Sequence, residues 1–82
     1  MFIKCGTRII RSGSLDRIGT NAYKTSVGYE VDYITEGGTS EIIHYTMADN
    51  LTPTMATELV EAIWDAIEKD DNFDIDEWIK EH

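Results

Sequence analysis

Apolar and polar positions alternate most regularly between Val27 and Thr35, where Val27, Tyr29, Val31, Tyr33 and Thr35 interleave with Gly28, Glu30, Asp32 and Ile34. A period of two puts the first set on one face of a strand and the mostly charged second set on the other. Glu36-Gly37-Gly38-Thr39-Ser40 follows, and Glu41 to Met47 is again rich in β-branched and aromatic residues, so the two runs predict a hairpin. Its register is expected to match apolar positions. A two-residue Gly37-Gly38 turn sets Tyr33 against Ile42 and Tyr29 against Thr46, whereas a three-residue Gly37-Gly38-Thr39 loop pairs Tyr33 with Ile43, Val31 with Tyr45 and Tyr29 with Met47. The second is preferred, because a slip of one residue would turn the apolar set to solvent. It also sets Asp32 across from His44, with Glu30 on the same face.

Upstream, Phe2-Ile3-Lys4-Cys5 and Arg8-Ile9-Ile10-Arg11 are short β-prone runs around Gly6-Thr7, and Ser12-Gly13-Ser14 is a turn cluster. Leu15 and Ile18 fit either one helical turn or an irregular strand, and residues 19–26 read as a surface loop. Downstream, Thr52-Pro53 is a helix start: a capping hydroxyl, then proline where its missing N–H costs nothing. Ala56, Leu59, Val60, Ile63, Ala66 and Ile67 then recur at three and four, opposite Thr57, Glu58, Glu61, Asp65 and Glu68. The pattern predicts an amphipathic helix of about 15–17 residues docked on the apolar sheet face. Lys69-Asp70-Asp71-Asn72 ends it, since Asp and Asn side chains compete for backbone hydrogen bonds. Asp74 with Glu77 is a capping-box pattern, and Phe73 with Trp78 a hydrophobic staple, for a second, shorter helix with Ile75 and Ile79 inward. Strands precede helices. The expected fold is therefore a single α+β domain over residues 1–82: a small antiparallel sheet of N-terminal strands plus the central hairpin, one amphipathic helix on one face and a short second helix.

Composition narrows the possible functions. Eighty-two residues leave no room for a second core, and a domain this small is marginal or borrows stability from a partner or a second copy. The formal net charge of −9 argues against direct nucleic-acid binding. Charge is also segregated. Lys4, Arg8, Arg11, Arg17 and Lys24 face only Asp16 in residues 1–28, whereas beyond them Lys69 and Lys80 stand against fifteen acids. The single Cys5 forms no internal disulfide, and the apolar runs are too short for a signal peptide or a membrane span, so a cytoplasmic protein without membrane contact is expected.

Motifs for catalysis are lacking: the chain has no glycine-rich phosphate loop, no Gly-x-Ser-x-Gly and no His-Glu-x-x-His. Cys5 with His44 is the one conceivable nucleophile–base pair, but a cysteine in an apolar strand is ordinarily a small buried hydrophobe. His44 with Asp32 and Glu30 has the residue types of a weak divalent site, yet reads more simply as a cross-strand ionic contact. The acids from Asp70 to Glu81 lack the glycine and ligand order of a calcium loop. No cofactor, metal or catalytic residue is expected, and a non-enzymatic module is.

What remains is electrostatic. Glu58, Glu61, Asp65 and Glu68 down one helix side, Trp64 at the stripe's edge, and Glu30 and Asp32 on the sheet face form a candidate surface for a basic protein. The partner expected for it is a nucleic-acid-binding protein whose phosphate-binding face is occupied by an acidic inhibitor or adaptor. The alternative is an oligomeric binder of an anionic metabolite or nucleotide through Arg8, Arg11 and Arg17, or a subunit of a larger assembly. Those arginines could equally pair with the acidic half of a second copy in a homodimer.

Overall fold

A computed structural model describes all residues from Met1 to His82. Its elements are β1 (Phe2–Cys5), β2 (Arg8–Arg11), a single 3-10 turn (Ser12–Ser14), β3 (Arg17–Thr20), β4 (Val27–Ile34), β5 (Ser40–Ala48), α1 (Pro53–Lys69), β6 (Phe73–Asp74) and α2 (Ile75–Glu81). The α+β class holds, and the strands precede the helices except for the two-residue β6, which lies between α1 and α2 and was not expected. The strands divide between two three-stranded sheets, ordered β2-β1-β6 and β3-β4-β5.

In the first sheet β1 pairs antiparallel with β2 and parallel with the two-residue β6, Ile3 lying beside Phe73. Side chains of the acidic segment hold that parallel pair. Phe2 N–H donates to Asn72 Oδ1 at 2.9 Å, Gly6 N–H to Asp76 Oδ2 at 2.6 Å, and the Lys4 ammonium lies 3.7 Å from Asp74. Asp74 also caps α2 by accepting from Glu77 N–H at 3.1 Å, so several of these carboxylates are tied into the fold.

The second sheet corrects the expected register. The loop is Glu36-Gly37-Gly38, closed by Thr35 N–H donating to the Thr39 carbonyl and Gly38 N–H to the Thr35 carbonyl, both at 2.9 Å. Val31 therefore pairs with Ile43, Tyr29 with Tyr45, and Tyr33 with Glu41, while Asp32 lies across from Ile42 and Glu30 from His44. Two local needs select this arrangement. The last loop position has φ +80°, which Gly38 takes without strain, and the Thr35 hydroxyl accepts Thr39 N–H at 3.2 Å. A bulge opposite Val27/Gly28 then returns Met47 to the buried side. Residues 19–26 are likewise not all loop. Gly19 and Thr20 extend β3 and pair with Gly28 and Val27, because the backbone of β4 needs partners on that edge too.

α1 spans 17 residues, as its periodicity predicts, and starts where the Thr52 hydroxyl accepts Met55 N–H at 3.1 Å. It ends at Asp70, whose φ of +55° is left-handed. Its Ala56, Leu59 and Ile63 join Ile3, Cys5 and Ile10 from the first sheet, Val27, Tyr29 and Met47 from the second, and Ile75 of α2 in one buried cluster. Beyond the reach of β3, residues 31–34 and 40–43 project as a two-stranded arm, and the molecule measures 45 × 29 × 23 Å. Tyr33 hydroxyl donates to the Glu41 carboxylate on this arm, which raises the phenol's pKa.

Leu59→Ala should lower unfolding free energy by about 2–5 kcal/mol, read from the urea midpoint, because it empties the meeting point of both sheets. Gly28→Ala should also destabilise, by about 1–3 kcal/mol, since its Cβ would lie 2.6 Å from the Tyr45 carbonyl oxygen at the bulge. The Tyr33–Glu41 contact stabilises the arm below the ordinary tyrosine pKa and loses its effect as pH rises through the raised value. Glu41→Gln should therefore bring Tyr33 into titration at lower pH, measured by tyrosinate absorbance.

Candidate binding groove beside an acidic helix row

At 100° per residue, Glu58, Glu61, Asp65 and Glu68 fall within an arc of about 80° on α1. All four are exposed and none forms a salt bridge. Over ten residues at the helical rise they span about 15 Å, or one carboxylate every ~5 Å. The apolar stripe occupies the neighbouring arc, and Trp64 lies on the border between the two, flanked by Glu61 and Glu68 one turn away.

Trp64 is 60% exposed, an unusual position for the largest apolar side chain in a small domain. It forms one wall of a groove of about 510 Å³ with Val60, Ile63 and Ile67 of α1. The opposite wall is the segment from Ser12 to Ile18, which contributes Leu15 and Ile18. This second wall is what sequence reasoning missed. Leu15 and Ile18, an apolar pair three residues apart, were its only local signal. Asp16 shapes the wall by accepting the Asp32 backbone N–H at 2.6 Å and donating its own backbone N–H to the Glu30 carbonyl at 3.0 Å.

Glu30 and Asp32 lie on the outer face of the second sheet. Arg17 binds both carboxylates, through Nε to Glu30 and through a terminal nitrogen to Asp32 at 3.0 Å. The two acids in turn hold the guanidinium pKa above its ordinary value, with the Glu30 hydrogen bond contributing most. His44 Nδ1 lies 3.4 Å from Glu30, and this contact rather than one with Asp32 occupies the sheet face. A smaller trough on the same face, about 420 Å³, is lined by Gly19 and Gly28 beside this cluster.

The three arginines do not converge. Arg8 reaches the opposite, inner face of the second sheet, where it donates to Tyr29 Oη at 3.2 Å and lies 5.2 Å from the Tyr45 ring centroid. Tyr29 and Tyr45 stack at 5.0 Å. Arg11 stands exposed at the far end of β2. Cys5 is buried in the first sheet and His44 exposed on the second, so thiol and imidazole are not brought together. Burial pushes the Cys5 thiol above its ordinary pKa, the Arg8 charge opposing and the Asp76 carboxylate adding to the rise. No helix is long and apolar enough to cross a membrane. No protein-family model, curated protein or solved structure matches the chain.

Trp64 should be quenched by caesium far more than by iodide, because the flanking carboxylates concentrate cations and repel anions; Trp64→Phe should remove most of that difference, leaving the half-buried Trp78. Cys5 should react with a thiol reagent much more slowly in the folded protein than after denaturation, as its burial and raised pKa require.

Proposed function

We propose that the protein is a non-enzymatic binding module whose α1 face, formed by Glu58, Glu61, Trp64, Asp65 and Glu68, occupies a basic nucleic-acid-binding surface of another protein. The observation that carries the reading is the adjacency of an unpaired acidic row and an exposed tryptophan groove. Carboxylates every ~5 Å approach the charge density of one nucleic-acid strand, roughly one phosphate per 3.4 Å, so the row imitates a single strand better than a duplex. Long-range attraction would speed encounter, and Trp64 in the groove would slow release. Glu30 and Asp32 contribute less, since Arg17 neutralises part of their charge.

An acidic row alone also serves solubility, and that explanation leaves Trp64 without a role. A hydrophobic anchor beside a charged stripe instead fits a partner that presents arginine or lysine around an apolar side chain. The anionic-metabolite alternative has less support, because it needs arginines on one surface and these lie on different ones.

Titration of a lysine- and arginine-rich single-strand-binding domain into the protein, followed by calorimetry at two salt concentrations, tests the proposal. Binding should weaken with salt and be competed by single-stranded DNA. The Glu58→Lys/Glu61→Lys/Asp65→Lys variant should abolish it, and Trp64→Ala should weaken it by roughly thirtyfold, the scale of an interface anchor of about 2 kcal/mol. Unchanged affinity in the triple variant would defeat the acidic-face reading.

A further inference from the structure

We propose that β5 is a self-pairing edge, through which two copies of the chain join antiparallel into one continuous six-stranded sheet. The backbone geometry defines which groups are available. Thr35 and Thr39 form a hydrogen-bonded pair, so along the regular ladder Glu41, Ile43 and Tyr45 direct their N–H and C=O groups toward β4. Ser40, Ile42, His44 and Thr46 direct theirs to the open side. β5 is the last strand of its sheet, and no element covers that side.

The devices that ordinarily blunt such an edge are missing. Ser40–Thr46 contains no lysine and no proline, and the only register irregularity lies at Val27/Gly28, beyond its base. Every residue from Ser40 to Thr46 is exposed, with Ile42 at 51% and Ile43 at 36%. Ile34, at 75%, adds to the apolar surface of the arm. A two-stranded ribbon with apolar side chains on both faces is marginal in water by itself, and a third and fourth strand would supply what it lacks.

Charge and register select a second copy as the occupant. On a chain of net charge −9, β5 carries a single acid, Glu41, so two copies of this strand can approach without a row of facing carboxylates. A two-fold axis through Ile43 sets Ile43 against its symmetry mate, Ile42 against His44, Glu41 against Tyr45 and Ser40 against Thr46. No like charges face each other. An axis through Ile42 would instead set Glu41 against Ile43, and one through His44 would set it against the buried Met47. The pairing is closed, because β5 is consumed in each copy and the outer strand of the joined sheet is then the four-residue β3. The acidic row of α1 takes no part in it.

Sedimentation equilibrium of the full chain over a micromolar-to-millimolar series, together with two variants, tests the proposal. Wild type should pass from monomer to dimer. Ile42→Pro removes an outward N–H and leaves the β4–β5 ladder intact, so it should remain monomeric at every concentration with an unchanged far-ultraviolet spectrum. Ile43→Cys should form an intermolecular disulfide on mild oxidation, since a non-hydrogen-bonded antiparallel pair holds Cα atoms at about 4.5 Å, within disulfide reach. Ile9→Cys, exposed on β2, should cross-link no faster than by collision. A wild-type chain that stays monomeric throughout overturns the proposal, as does a dimer that survives Ile42→Pro or whose Ile43→Cys form fails to cross-link. These readouts do not involve the α1 face, so this result and that of the basic-partner titration are separable.

Discussion

The structure depends on one helix stripe shared by two sheets. Ala56, Leu59 and Ile63 of α1 belong to the one buried cluster that also takes in residues of β1 and β2 from one sheet and of β4 and β5 from the other. The sheets share no strand, and the Arg8–Tyr29 hydrogen bond is the side-chain bridge between them. With only twelve buried residues in the chain, each apolar position of that stripe carries a large share of the stability. No charged or amide side chain is buried in this core, and its one buried hydroxyl, on Tyr29, accepts from Arg8, so apolar burial and packing supply most of what holds the two sheets together.

That economy explains where charge sits. Acids that would otherwise be surface decoration are used to fasten chain segments: Asp76, together with the Asn72 amide, holds β1, Asp74 caps α2, and Asp16 holds the backbone of Asp32. Glu30 and Asp32 are engaged by Arg17. Glu58, Glu61, Asp65 and Glu68 on α1 have no such partners, and the tryptophan that an economical core would be expected to bury is left beside them. Glu36, Asp49, Asp71, Glu77 and Glu81 are free as well; what distinguishes α1 is that four such carboxylates align along one helix side beside an exposed tryptophan. A small core also leaves surplus surface. The distal hairpin extends past the helix that covers its base, and the apolar residues needed to make it a good strand pair have nothing over them.

Much of this was legible in the chain. Thr52-Pro53, the three-and-four spacing from Ala56 to Ile67, and the Asp74–Glu77 pattern define both helices, because helix ends and faces depend on residues within a few positions of each other. The same spacing places Trp64 at the border of the acidic row. The hairpin itself was equally clear from its alternation and glycines. Its register was not, because matching side chains favoured a loop one residue later than the one formed, and the deciding terms were the φ of Gly38 and a bulge at Gly28.

The sequence by itself determined the α+β class, the amphipathic helix, the segregation of charge and the identity of the residues on the acidic row, all of which rest on short-range periodicity and ionisation. Tertiary structure alone decided that β6 returns to pair parallel with β1, that Arg8 and Arg17 lie on opposite faces of one sheet, and that the Ser12–Ile18 segment lies against α1 to make a groove of Trp64. Those outcomes join residues up to seventy positions apart. Local propensity carries no information about such pairings; they are set by which distant surfaces can be buried together and which backbone groups are then left needing partners.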